Sequence, residues 1–386
     1  MPLASLSVSE SLLGANYTPT LGGDWFARFT AALMLGAAIG GIVLGAFGDR
    51  FGRTRAMGIS ILFYSLFAGL GAYVQTMEQM LVLRFLVGLG VGGVWPNAVA
   101  LVAESWPDKA RPTVAGLMGA AINAGILLLS QLAQIWGVTA LSWRWIFHVA
   151  AFPAALGLGV LFFLPESRQW LASREQTTAK KPAPPLRELF RPPLLRLTLA
   201  GILLGSIPLV GAWAASKWMI PWADKIGGAF QADYKAQTQG WWAFGAILGS
   251  LAGAQIAALL GRRRSFFLIS LGSLVLTLAM FQLTAPLRPS FFPIVFAQGF
   301  VGTLFFGWLP LYLPELFPTR VRATGSGLCY NVGRFATAGG VLAAGALFTA
   351  VGGSYPAVGT VAALIYGLGM IIIWYAPDTG GQTLKT

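Results

Sequence analysis

Eleven long apolar segments alternate along the chain with short polar or charged turns. Each apolar segment is about 20 residues long, which is the length that an α-helix needs to cross the hydrocarbon core of a bilayer. Strands of a membrane β-barrel would be shorter and would alternate in polarity. The pattern therefore predicts an all-α membrane protein with eleven visible spans.

The predicted spans fall into two groups. Five are expected at about 25–47, 56–74, 81–103, 112–136 and 145–164. Six more are expected at about 197–218, 240–260, 266–283, 291–314, 323–350 and 358–374. The long hydrophilic stretch between the groups contains the sequence Lys180-Lys-Pro-Ala-Pro-Pro185. We therefore expect an N-terminal half over residues 1–165, a cytoplasmic central loop over 166–196, and a C-terminal half over 197–386.

Basic residues are concentrated on one side of the predicted spans. The chain carries 26 Lys and Arg against 13 Asp and Glu, for a net charge of +13. Most basic residues fall in the turns around Arg50, Lys109, Lys180, Arg262 and Arg320. Cytoplasmic loops are enriched in Lys and Arg, so these turns are expected on the cytoplasmic side. The membrane is expected to be a bacterial inner membrane. The excess charge then indicates orientation, and no nucleic-acid partner is expected.

Three short motifs of the first half recur in the second half at nearly one offset, between 209 and 212 residues. The longest shared pattern is E-x-x-P-x-[KR]-x-R-x-T-x-x-G-L. The matching pairs are 104–117 with 315–328, 52–55 with 261–264, and 165–167 with 377–379. Such a repeat predicts two parallel helical halves related by an axis along the membrane normal.

The first inside turn reads Gly45-Ala-Phe-Gly-Asp-Arg-Phe-Gly-Arg-Thr-Arg55. It resembles the loop signature of the major facilitator superfamily, found there between the second and third helices. The resemblance implies the major facilitator fold, and it implies a conformational latch between the halves. The latch residues would be Gly45, Asp49, Arg50, Gly52, Arg53, Glu104, Arg111, Glu315 and Arg322. Ala258 stands where the counterpart of Asp49 would be, so we expect a degenerate latch in the second copy.

Further motifs indicate which groups within the superfamily the chain resembles most. The segments 84–93 and 165–171 resemble motifs of sugar porters, whereas 104–107 and 315–334 are closer to the sialate:proton symporters and their aromatic-acid relatives. This implies a secondary transporter for a small organic anion, sialic or aromatic acid-like, with proton symport. A porter of sugars or other neutral solutes is the alternative, and a non-transporting membrane sensor is a second class. In related proton-coupled porters, the arginine that matches Arg84 pairs with an acid on the first helix.

One span has no counterpart in the repeat. Shifting the span 197–218 back by about 209 residues places its partner at roughly −12 to 9, so most of the first of twelve helices would precede Met1. We expect either a start assigned too far downstream or a truncated gene. The first explanation is favoured because the remaining motifs are intact.

Arg334 is the most informative charge inside a span. It follows Arg322 by twelve residues, or ~18 Å of helix, which places it near the middle of a ~30 Å hydrocarbon core. All acidic residues can be placed at span ends or in loops, so a bound carboxylate can supply the missing charge. The alternative is a structural arginine satisfied by backbone carbonyls, waters or a helix C-terminus. Other candidate substrate contacts, each of which can instead serve helix packing, are Asn331, Tyr330, Asn97, Asn123, Gln298 and Trp308.

Other residues suggest simpler roles. We expect Lys217 to extend its ammonium to the outer interface. The tryptophans at 213, 218, 222, 241 and 242 are expected to form an outer aromatic belt, with a cavity lining as the alternative. One histidine and one cysteine leave no catalytic or metal constellation, so no enzyme activity and no cofactor are expected. The expected partners are a small-molecule substrate, protons and the lipid bilayer, and the protein is expected to be a monomer.

Overall fold

A computed structural model of the chain describes residues 3–106, 111–167, 170–171, 188–317 and 322–379. No β-strand occurs among these residues, and eleven of their helical segments are long and apolar enough to cross a membrane. The all-α membrane fold predicted from hydropathy is therefore confirmed.

The first part of the chain contains five of these spans. Its helices are α1 (Ser5–Leu13), α2 (Pro19–Phe51), α3 (Arg53–Leu70), α4 (Met77–Ser105), α5 (Arg111–Trp136), α6 (Arg144–Ala151) and α7 (Pro153–Phe163). The last two helices form one span that is interrupted before Pro153, a residue without a backbone N–H. We call these seven helices the N-terminal bundle.

The second part contains six spans. Its helices are α8 (Leu194–Val210), α9 (Met219–Gly227), α10 (Tyr234–Leu260), α11 (Arg262–Gln282), α12 (Phe291–Glu315), α13 (Arg322–Ala350) and α14 (Tyr355–Ile372). Helices α8 and α9 belong to one span and are joined by a π-helical turn, Gly211–Ala215, and a 3₁₀ turn, Ser216–Trp218. We call these helices the C-terminal bundle.

Equivalent glycines of the repeat separate consecutive spans at the arginine-rich ends. Gly52 lies between α2 and α3 with φ of 114°, and Gly261 lies between α10 and α11 with φ of 86°. These backbone conformations favour glycine because it has no Cβ atom. The same turn chemistry in both places agrees with the sequence repeat.

Two pairs of helices make the most extensive contacts between the bundles. Helix α2 packs against α13, and α5 packs against α10. Within the N-terminal bundle, α2 and α4 cross so closely that a Cβ atom at Gly92 would overlap the carbonyl oxygen of Ala37. This close crossing fixes the position of the middle of α2, which faces the C-terminal bundle.

The outer ends of the bundles, opposite the arginine-rich turns, share one apolar core. Trp218 lies at its centre, with ring centroids 5.2 Å from Phe26, 5.0 Å from Phe348 and 6.1 Å from Tyr355. Phe26 belongs to the N-terminal bundle, so these rings close the outer side. At the inner end, a second apolar cluster consists, among the described residues, of residues from the C-terminal part of the chain alone.

The short helix α1 is not among the spans predicted from hydropathy, the first of which begins at about residue 25. Its residues from Ser5 to Ser9 are buried. The Ser7 hydroxyl donates to the carbonyl oxygen of Val138 at 3.0 Å. The helix is short and rich in serine, so its packing is not visible in a window of about 20 residues.

Candidate functional site

Arg334 lies within the span Gly325–Ala350, where the two bundles meet. Its side chain is buried, and Nη1 donates a hydrogen bond to the carbonyl oxygen of Ala37 on α2 at 2.9 Å. Nη1 also lies 3.4 Å from Oδ1 of Asn331, one turn earlier on α13. The guanidinium is thus held at the interface by neutral groups from both bundles.

Aromatic rings complete this group. The Tyr330 ring centroid lies 5.1 Å from Cζ of Arg334, a cation–π distance. Tyr330 in turn stacks on Trp95 of α4, with centroids 5.9 Å apart and an interplanar angle of 21°. We call Arg334, Asn331, Tyr330, Trp95 and Ala37 the Arg334 cluster. The structure therefore brings together three of the substrate contacts predicted from sequence.

The charge of the Arg334 cluster is not balanced within the described part of the chain. No carboxylate there forms an ion pair with Arg334. A guanidinium has five N–H donors in a planar fork that matches a carboxylate. A buried charge without a partner is costly in the membrane interior. The cluster is therefore chemically suited to bind an anion between the bundles.

Two predicted asparagines make contacts between helices. Nδ2 of Asn123 donates to Oγ of Ser250 at 3.1 Å and so links α5 to α10 across the bundle interface. Nδ2 of Asn97 donates to the carbonyl oxygen of Leu44 at 3.1 Å and ties α4 to α2. These bonds fit the packing alternative stated for both residues.

The structure does not bring Trp308 to the Arg334 cluster. Its Nε1 donates to the carbonyl oxygen of Arg262 at 2.9 Å, and its ring stacks on Tyr312 at 4.4 Å. Trp308 is fully buried in the inner cluster of the C-terminal bundle. Its contacts there are those of a core residue.

Lys217 differs from the expectation that it reaches the interface. Its side chain is only 4% exposed, and Nζ lies 3.1 Å from the ring centroid of Trp242. Nε1 of Trp242 donates to Oε1 of Gln298 at 2.7 Å, and Nε2 of Gln298 donates to Oγ of Ser216. Nε2 of Gln298 also lies 3.5 Å from Oγ1 of Thr277. We call these five residues the Lys217 cluster.

The π-helical turn explains why the sequence did not reveal this cluster. A π turn follows an i→i+5 hydrogen-bond pattern, so it changes the face on which the following residues lie. Lys217 lies two residues after the turn Gly211–Ala215, within the 3₁₀ turn Ser216–Trp218. Pro208, which interrupts the hydrogen bonds of α8, is the only local signal of the irregularity that we recognise.

Most tryptophans of the expected outer aromatic belt are instead buried or packed against the outer core. Trp218, Trp222 and Trp242 are buried, and Trp213 packs against the outer core. Of the five tryptophans, Trp241 is the exposed one, at 45%. Tryptophan near a span end has the same sequence signal whether it faces lipid or another helix.

Arg84 lies in the outer part of α4, apart from the Arg334 cluster. It is buried, and its Cζ lies 5.0 Å from the ring centroid of Phe147. Within the described part of the chain, Nε and Nη2 have no hydrogen-bond partner. The resemblance implies a role in proton coupling for Arg84, and the structure places its guanidinium in a buried position.

The predicted latch is only partly described. The side chains of Asp49, Glu104, Arg111 and Arg322 lie outside the described part of the structure. Arg50 is exposed and lies over the Phe51 ring, with Cζ 5.2 Å from the centroid. Gly45 faces Pro96: a Cβ atom added at Gly45 would lie 3.6 Å from the side chain of Pro96.

Glu166 contributes a contact that the latch motif did not predict. Its Oε1 accepts a hydrogen bond from the backbone nitrogen of Arg53 at 3.0 Å, and its Oε2 accepts from that of Thr54 at 3.2 Å. The carboxylate thus caps the positively polarised N-terminus of α3. It lies next to Gly52, where a Cβ atom would meet Oε2.

The second copy of the motif retains an ion pair despite Ala258. Arg262 forms a two-pronged pair with Glu315, with Nη2–Oε1 at 2.6 Å and Nε–Oε2 at 3.1 Å. Thr379 also donates to Glu315. The carboxylate comes from α12 instead of α10. This ion pair therefore lies within the C-terminal bundle.

Polar contacts also join the outer ends. Nζ of Lys235 lies 3.1 Å from both Oδ2 of Asp224 and Oγ of Ser7, so the C-terminal bundle is connected to α1. Burial, followed by the carboxylates of Glu10 and Asp224, raises the pKa of Tyr17. The phenol therefore stays neutral near pH 7, and the charged part of this network is the Lys235–Asp224 pair.

The chain thus forms two helical bundles of apolar spans with a buried guanidinium between them. A family model described as Major Facilitator Superfamily matches residues 4–232. The chain belongs to this superfamily, and it is a multi-pass membrane transporter and not an enzyme.

Curated relatives and solved structures agree with this family assignment. The chain is 30% identical over 362 residues to a probable 4-methylmuconolactone transporter of Cupriavidus pinatubonensis, covering 92% of this chain and 82% of that protein. It is 30% identical over 378 residues to a cis,cis-muconate transport protein of Acinetobacter baylyi, covering 94% and 89%. A structure of the xylose transporter XylE from E. coli matches with a TM-score of 0.73 at 19% identity, covering 99% and 95%. At this identity the structural match establishes the fold alone.

Proposed function

We propose that this protein is a secondary transporter that moves a small organic anion across the bacterial cell membrane together with protons. The observation that carries the proposal is the Arg334 cluster. Its buried guanidinium lies between the bundles, and no carboxylate of the described residues pairs with it. The carboxylate of a substrate supplies that charge.

The two halves, 1–165 and 197–386, work by alternating access, with the segment 166–196 connecting them inside the cell. The outer core is closed in the structure, so the bundles separate at the outer ends to admit substrate. The Arg334–Ala37 and Asn123–Ser250 hydrogen bonds cross the interface and change during this movement.

The substrate class follows from the chemistry of the Arg334 cluster. Arg334 and Asn331 bind a carboxylate, and the stacked rings of Tyr330 and Trp95 face a flat, conjugated or aromatic body. A relative is named a cis,cis-muconate transport protein, and muconate is a conjugated dicarboxylate. Asn97, Asn123 and Trp308 support the helices around this site, and Gln298 belongs to the Lys217 cluster.

Proton symport is supported by two observations. XylE, which shares the fold, is described as a proton:xylose symporter. Arg84 is a buried cation with unused donors, apart from the substrate cluster. We assign the coupling role to Arg84 on this basis. A neutral-sugar porter is the second candidate, favoured by the sugar-porter motifs at 84–93 and 165–171.

Uptake into proteoliposomes tests the proposal. Labelled muconate, 4-hydroxybenzoate, sialic acid and xylose are compared with and without an inwardly directed proton gradient, using protein-free liposomes as the control. We expect gradient-stimulated uptake of at least one acid. Uptake of xylose with none of the acids would contradict the anion proposal and favour the sugar porter.

A further inference from the structure

Lys217 is a second buried cation that lacks an oxygen partner. Among the described residues, no oxygen atom accepts a hydrogen bond from its Nζ, and its described contact is the Trp242 ring at 3.1 Å. A cation–π contact stabilises the charge but leaves the three N–H donors of an ammonium unused. The residue is 4% exposed, so its ammonium lies away from the protein surface.

The polar groups beside Lys217 are suited to bind an anion with it. The Gln298 amide and the Ser216 and Thr277 hydroxyls lie together, and all three side chains are buried. Buried pockets that bind small molecules combine apolar walls with a few convergent polar groups. Trp242 supplies the wall beneath the ammonium, and its Nε1 connects to the hydrogen-bonded amide and hydroxyl groups.

The backbone at Lys217 is irregular. The π turn Gly211–Ala215 and the 3₁₀ turn Ser216–Trp218 interrupt the helix within a single span. π turns often occur at functional sites, and interrupted helices contribute binding sites in many transporters. The irregularity is therefore a second observation, independent of the charge, that points to a ligand at this position.

Lys217 lies directly beneath the outer closure. The next residue, Trp218, contacts Phe26 of the N-terminal bundle. One turn before Trp242, Gln239 donates to Oγ of Ser130 on α5 at 3.2 Å. Both contacts separate when the outer ends move apart, which exposes the Lys217 cluster to the outside.

The two buried cations lie at different depths. Gly333, the neighbour of Arg334, packs against Leu209 of α8. Gly333 also meets the backbone of Ser206, and Lys217 follows Ser206 by eleven residues, so it lies roughly 16 Å closer to the outside. A small acid therefore meets the two cations one after the other.

We propose that Lys217 forms an outward-facing binding site for the carboxylate of the transported acid, from which the acid passes to the Arg334 cluster. Gln298 and Ser216 bind the same carboxylate, and the Trp242 ring covers the ammonium when the outer side is closed. The inference rests on the proposed function, since it requires an anionic substrate.

The test measures uptake of the labelled acid that the wild type transports best, in right-side-out and inside-out membrane vesicles. Lys217→Gln should raise KM from the outer side by about 30-fold or more, as expected when a buried charged partner is lost. KM from the inner side should change less than threefold. Lys217→Arg keeps the charge and should stay within about tenfold of the wild type on the outer side. The matched control is Lys225→Gln, which removes an exposed lysine of α9.

The possible outcomes separate this inference from the proposed function. Unchanged outer KM in Lys217→Gln, with normal acid uptake by the wild type, would overturn the Lys217 site alone. Equal changes of KM on the outer and inner sides, with lower thermal stability in both Lys217→Gln and Lys217→Arg, would also overturn the Lys217 site. They would indicate a structural lysine. If the wild type takes up only a neutral sugar, the anion proposal fails first, and the Lys217 site fails with it.

Discussion

Arg334 and Ala37 connect the two bundles within their spans: Nη1 of Arg334 donates to the carbonyl oxygen of Ala37 at 2.9 Å. The acceptor belongs to the backbone of α2 and is neutral, so this bond fixes the position of the guanidinium without cancelling its charge. When the bundles move apart, this bond changes, and the guanidinium that we assign to substrate binding changes its position relative to α2.

Gly92 should control the position of this acceptor. A Cβ atom at Gly92 would overlap the carbonyl oxygen of Ala37, and backbone of a neighbouring helix cannot move aside cheaply. Gly92→Ala should lower thermal stability, by about 1–3 kcal/mol if the helices must shift, and should reduce acid uptake. Gly125→Ala is the control, because nothing lies within 4 Å of its Cβ position. A Gly92→Ala protein with wild-type stability and uptake would contradict the close crossing of α2 and α4.

Glu166 should stabilise the start of α3. Its carboxylate accepts hydrogen bonds from the backbone nitrogens of Arg53 and Thr54, which have no partner inside the helix. Glu166→Ala should cost about 1–2 kcal/mol of stability, measured by thermal unfolding in detergent. Glu78→Ala removes an exposed acid from the first turn of α4 and serves as the control. Equal effects of both substitutions would argue against the cap.

Arg262 and Glu315 should be energetically coupled. Their side chains are 14% and 12% exposed, so losing one partner leaves the other charge partly desolvated. A double-mutant cycle with Arg262→Gln and Glu315→Gln should give a coupling of about 1–3 kcal/mol. The Arg28–Asp24 pair, with side chains 49% and 27% exposed, should give less than about 1 kcal/mol in the same experiment. Additive effects at Arg262 and Glu315 would show that the pair contributes nothing beyond its single residues.

Lys235 should help to hold the outer side closed, because it contacts both Asp224 and Ser7. Lys235→Met should increase the population of outward-open molecules. Spin labels at Leu141→Cys and Phe230→Cys, which are 95% and 80% exposed, report the separation of the outer ends in a Cys329→Ser background. We expect a larger fraction of long distances in Lys235→Met than in the unsubstituted background, and no increase in the control Lys225→Met. Identical distance distributions would rule out this role for Lys235.

The sequence predicted the spans, and it singled out three residues of the Arg334 cluster, for physical reasons. A span of about 20 apolar residues has a strong signal, and residues three or four positions apart on a helix are neighbours, as Tyr330, Asn331 and Arg334 are. Lys217 was misjudged because the turn Gly211–Ala215 departs from regular helix geometry. Hydropathy cannot distinguish a lysine that reaches the interface from one that turns inward beneath Trp242. The asparagine contacts depend on which helices adjoin, and that information appears only in the packed structure.

Binding of an acid by variants of Arg334 tests the central claim most directly. Substrate-induced thermal shifts are measured with the best transported acid and with its neutral amide, for the wild type, Arg334→Lys, Arg334→Ala and the exposed control Arg264→Ala. We predict that Arg334→Ala loses about 2–5 kcal/mol of affinity for the acid and much less for the amide. Arg334→Lys should not restore binding, because an ammonium lacks the planar fork of the guanidinium. If Arg334→Ala folds normally and binds the acid with wild-type affinity, Arg334 does not form the anion site.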